Sequence, residues 1–75
     1  MYIVIELQTN NGTTAIVPPV AYADLNVAYQ KYYQALSAAA VSNVEVHAVL
    51  IVGETGNIVA SSHFAHRIPQ IGGED

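Results

Sequence analysis

A chain of 75 residues, 52% hydrophobic and only 11% charged, has too little interior to divide between two cores and makes one small domain. With no cysteine it has neither a disulfide framework nor a thiolate metal site, and a net charge of −4 with Lys31 and Arg67 as the only fixed cations gives no basic stripe for duplex DNA or RNA. No apolar run reaches transmembrane length and the start lacks a signal-peptide pattern, so the expectation is a cytoplasmic chain, away from membranes, stabilised by packing and self-association.

Tyr2 to Gln8 alternates, with Ile3, Ile5 and Leu7 on one face and Tyr2, Val4 and Glu6 on the other, which is a strand. Asn11-Gly12 tolerates the positive φ values of a tight hairpin turn, and Thr14 to Val17 returns as a second strand. Pro18-Pro19 ends it, because proline donates no ladder hydrogen bond, and makes it an edge.

Asp24 is suited to cap a helix over residues 24–40, in which Leu25, Ala28, Tyr29, Tyr32, Leu36, Ala39 and Ala40 gather into one apolar stripe. Ser42-Asn43 breaks that pattern. Val44 to Val52 is apolar at nearly every position, as in a central strand covered on both sides, with Val44, Val46, Ala48, Leu50 and Val52 on one face. Gly53 to Asn57 turns the chain into a fourth strand, Ile58 to Phe64, and residues 69–75 read as a frayed tail on a single domain of residues 1–68.

The sum is an α+β fold of ββαββ type: a four-stranded, mainly antiparallel sheet, in the order 2-1-3-4, with one helix packed on one face. One helix covers only one face. With Ile3, Ile5, Leu7 and the Val44 to Val52 set turned to the helix, Val4, Val49, Ile51 and Val59 form an outward apolar patch, the expected interface of a homodimer or higher oligomer.

No nucleophile elbow and no glycine-rich phosphate loop occurs, so no catalytic residue is assigned, and no metal ligand set or cofactor is expected. Glu6, Glu45, His47 and His63 are placed on the face away from the helix, with His47 opposite His63 unless a bulge at the turn shifts the register. His47 with Glu45 is the weaker acid-base reading. Tyr29 and Tyr32 belong to the core stripe, whereas Tyr33 beside Lys31 is free for a ligand's ring. Lys31, Tyr33, His47, His63, His66 and Arg67 are therefore the candidate binding residues for a small anionic, nucleotide-like molecule.

The run Lys31-Tyr32, then Leu36-Ser37-Ala38-Ala39-Ala40-Val41-Ser42, then Val44-Glu45-Val46-His47, resembles a group of short uncharacterised proteins encoded in phages and prophages. The opening Ile5-Glu6-Leu7-Gln8 and the closing Phe64-Ala65-His66 extend the likeness over most of the chain, and relatives often carry histidine where this chain has Tyr33. The resemblance implies a phage setting, in which small proteins without enzymatic motifs act by binding. The expected function is a non-enzymatic homo-oligomer that sequesters a nucleotide-like host immune signal. The alternative is an interaction or virion accessory module that binds a protein partner through its apolar sheet face.

Overall fold

The computed structural model describes residues 1–66, with strand β1 at Tyr2–Asn10, strand β2 at Thr13–Tyr22, helix α1 at Leu25–Ala40, strand β3 at Val46–Gly53 and strand β4 at Ile58–Ala65. The four strands form one antiparallel sheet in the order β2-β1-β3-β4, with α1 packed against it, as the periodicities require. The 69–75 tail lies outside the described residues. No helix among the described residues is long and apolar enough to cross a membrane.

The first hairpin closes through Asn11 at φ 53 and Gly12 at φ 78, two consecutive positive values that match the right-handed twist of the flanking strands. β2 does not stop at Pro18-Pro19. Val17 pairs with Glu6 and Val20 with Val4, so the prolines occupy a bulge opposite Ile5 and the ladder resumes beyond them to Tyr22. Proline is tolerated there because β2 is an edge strand, where a missing donor costs no inner partner.

α1 begins where the Asp24 backbone is still extended, at φ −98 and ψ 122, and its carboxylate accepts the Asn26 amide hydrogen at 2.8 Å. That satisfies one of the first-turn donors that would otherwise face only water. Asp24→Ala should cost about 1 kcal/mol of unfolding free energy in urea titration while leaving the fold intact; a change below about 0.3 kcal/mol would show that the cap is redundant. At the other end the Ala39 carbonyl accepts hydrogen bonds from the Ser42 amide at 3.2 Å and from His66 Nε2 at 2.7 Å, tying the last turn to the end of β4.

The core reverses the expected sides of the sheet. In β3 the residues His47, Val49, Ile51 and Gly53 are buried while Val46, Ala48, Leu50 and Val52 stay partly exposed. Val49 and Ile51 are fully buried and pack with Ala28 and Tyr32 of α1, with Val4, Val59 and Ala60 around them. The proposed interface residues Val4, Val49, Ile51 and Val59 are thus the core beneath the helix. On this side the small Ala28 lets the helix sit close over Val49 and Ile51, and the Glu6 side of β1 brings the buried His47 its hydrogen-bond partner. Ile3, Ile5 and Leu7 lie on the other face, in register with Val52, Leu50 and Ala48.

Candidate functional site: the open face and the histidines

The face of the sheet away from α1 is built by alternation alone. Cross-strand partners in an antiparallel ladder share a face, so Ile3, Ile5 and Leu7 lie beside Val52, Leu50 and Ala48, with Ala21 and Ile16 of β2 and Ile58 of β4 at the margins. Ile16 and Ile58 are 64% and 67% exposed. No Asp, Glu, Lys or Arg stands on this face among the described residues. Glu6 and Glu45 fall on the helix side by parity, Asp24 caps α1, Lys31 is on α1, and Glu54 lies in the β3–β4 turn. The Met1 amino group hydrogen-bonds Glu54 and holds its carboxyl below the usual carboxylate range.

The candidate binding residues do not converge within one chain. His47 is 4% exposed beneath the helix, where the Glu6 carboxylate accepts a hydrogen bond from its Nε2 and a second, at 3.4 Å, from Gln8 Nε2. Its Nδ1 is buried without a hydrogen-bond partner among the described residues. His63 is on the opposite face. The Gly53 amide does bond the Asn57 carbonyl at 2.8 Å, but the following bulge pairs Ile51 with Ala60 and Val52 with Ile58, leaving Val59 extra. The shift puts His47 opposite Phe64 and His63 opposite Ala48, so the expected His47–His63 pair does not form and Glu6, not Glu45, is the partner of His47.

Lys31 and Tyr33 are both exposed on α1, yet two positions along a helix are about 200° apart around its axis, which places them on different flanks. Tyr33 stacks on Tyr29 at a ring separation of 6.0 Å, and both stand edge-on to the buried Tyr32, at 5.2 and 6.2 Å. Burial, reinforced by the Tyr33 and Tyr29 phenols, pushes the Tyr32 hydroxyl above its ordinary pKa. His66 sits at the C-terminal end of α1, parallel to Phe64 at 6.2 Å. Arg67 lies outside the described residues. No group of three or more metal-ligating side chains occurs among the described residues.

An apolar open face is expected from the sequence, but its residues are Ile3, Ile5, Leu7 and Leu50 rather than Val4, Val49, Ile51 and Val59. β3 is apolar on both faces and carries no parity signal, and the alternation of β1 points the other way: its Ile3, Ile5, Leu7 side is wholly apolar, yet the Tyr2, Val4, Glu6, Gln8 side, with the partners that His47 needs, lies under the helix. No protein-family model, curated protein or solved structure matches this chain.

Proposed function

We propose that this protein is a small non-enzymatic binding protein that acts as a homo-oligomer, its subunits stacked through the open face of the sheet. The observation that carries the reading is that this face is apolar over β1 and β3, with Ile16 and Ala21 of β2 and Ile58 of β4 beside them, and carries no Asp, Glu, Lys or Arg among the described residues, while the more polar side of β1 lies under the helix. A two-fold docking brings apolar residues onto apolar residues with no like-charge contact. Four strands spaced about 4.8 Å apart and some eight residues long make a face of about 500 Å² in projection on each subunit, so a pair buries about 1,000 Å², the lower bound of a specific interface. The one histidine–carboxylate pair among the described residues is closed beneath the helix, which supports binding over acid-base catalysis.

In the phage setting that the resemblance implies, the cargo assigned to such a binder is a small anionic, nucleotide-like molecule, held on the helix side of the sheet and away from the stacked faces. Lys31, exposed and without an ion-pair partner among the described residues, supplies charge for it. A protein partner seated on the same open face is the competing reading, favoured by that face's apolar character.

Leu50→Glu tests the assembly. Leu50 lies mid-strand on the open face, in register with Ile5 and Ser61, so a carboxylate there leaves the core untouched and places a charge inside the interface. The variant should keep the wild-type circular dichroism spectrum and lose subunits in native mass spectrometry. A variant that assembles like the wild type sinks the face-to-face reading. Calorimetry of the wild type against cyclic and linear nucleotides separates the two cargoes, since heat with accompanying thermal stabilisation belongs only to the small-molecule one.

A further inference from the structure

The two edges of the sheet differ. β2 is blunted by Pro18-Pro19 and by its bulge, the devices by which sheets commonly refuse further strands. β4 has no proline and no Asp, Glu, Lys or Arg from Ile58 to Ala65, and its pairing with β3 is regular from Ala60 onward. Among the described residues it is an edge without the usual guards.

The direction of its backbone groups follows from one bond. The His66 amide donates to the Glu45 carbonyl at 2.7 Å, so position 66 points its backbone at β3, and by the alternation of an antiparallel ladder so do Phe64 and Ser62. Ser61, His63 and Ala65 therefore point their N–H and C=O groups outward, away from β3.

We infer that β4 is a second self-association site, at which the same strand of another copy pairs antiparallel about a two-fold axis through His63. Ser61 of each copy then faces Ala65 of the other, and His63 faces His63. Three pairs that each exchange two bonds give six hydrogen bonds and satisfy all the outward groups of Ser61, His63 and Ala65. A second copy is the occupant the strand favours, because the pairing is self-complementary, brings no fixed like charges together and leaves no outward group of that stretch unpaired.

The axis runs perpendicular to the sheet, so both helices remain on one side of an eight-stranded sheet. Between them lies a groove floored by Ser62 and Phe64 of both copies. Three to four strand spacings of about 4.8 Å separate the helix axes by about 14–19 Å, which leaves a gap of about 4–9 Å between helices about 10 Å across. Neither copy has this groove alone. The inference is independent of the stacking of open faces, which lie together on the other side of the eight-stranded sheet. Used together, edge and face close a tetramer with three perpendicular two-fold axes.

His63→Pro is the discriminating variant. The His63 N–H points outward, so proline there removes a donor from the edge without breaking a bond to β3. The wild type should appear as a tetramer in native mass spectrometry, His63→Pro and Leu50→Glu each as a dimer, and the double variant as a monomer. Amide exchange followed by NMR gives a readout that does not depend on the variant folding: the Ser61, His63 and Ala65 amides of the wild type should exchange slowly, and faster on dilution. A folded His63→Pro with wild-type subunit number, or rapid exchange at those three amides at every concentration, overturns the edge pairing even where face-to-face dimers persist. Mixing ¹⁵N-labelled and unlabelled chains with each other and with lysate protein identifies the strand partner: protection without cross-copy contacts between β4 strands assigns the edge to another protein and overturns the inference.

Discussion

Ile51→Glu should unfold the protein outright, whereas Leu50→Glu, one residue earlier in the same strand, should leave it folded. Ile51 is completely buried and packs with Val49, Ala28 and Tyr32 between sheet and helix. A carboxylate in that position has no cation within the cluster to meet it, and an uncompensated buried charge costs several kcal/mol. The whole domain has only about 4–11 kcal/mol of stability to lose, at the usual 0.05–0.15 kcal/mol per residue. The milder Ile51→Ala removes buried methylenes and leaves a cavity, for an expected loss of about 2–5 kcal/mol in urea denaturation. A cooperative thermal transition for Ile51→Glu within a few degrees of wild type would mean that β3 presents its other face to α1.

Glu6→Ala should cost about 1–3 kcal/mol, more than its position at a partly exposed site on β1 suggests. The cost arises at His47. Its ring is buried, its Nδ1 already lacks a partner among the described residues, and the Glu6 carboxylate is what Nε2 bonds. Removing that acceptor leaves both ring nitrogens unpaired beneath the helix, the case in which a desolvated polar group exacts its full penalty. Glu6→Gln keeps an acceptor oxygen and should recover much of the loss. Replacing both members, Glu6→Leu with His47→Leu, removes the polar pair altogether and should come closer to wild type than Glu6→Ala does. Urea titrations at one fixed pH decide it: Glu6→Ala within about 0.3 kcal/mol of wild type would show that the pair contributes nothing.

Both results turn on which side of the sheet each strand residue takes. The elements themselves were legible, for reasons local to each. Asn11-Gly12 and Gly56 supply the positive φ values of two turns, Asp24 caps the helix, and the three-and-four spacing of Leu25, Ala28, Tyr32 and Ala39 draws its buried stripe. Pro18-Pro19 was misleading as a strand end because the cost of a missing donor depends on whether a strand lies beside it. At an edge none does.

The candidate site was less legible. Lys31 and Tyr33 are neighbours in sequence but stand on different flanks of α1, a separation set by helix geometry and readable in advance. The parting of His47 and His63 was not readable in advance: one extra residue, Val59, shifts the β3–β4 register and sends the two rings to opposite faces. Composition and periodicity by themselves determined a hairpin, a helix and a hairpin in one small sheet, since each rests on turn chemistry, capping and alternation within a few residues. The tertiary structure alone decided which face of that sheet the helix covers. β3 is apolar on both sides, and only the fit of Ala28 and Tyr32 over Val49 and Ile51, with His47 finding Glu6 alongside, breaks the tie and leaves Ile3, Ile5, Leu7 and Leu50 on the open side.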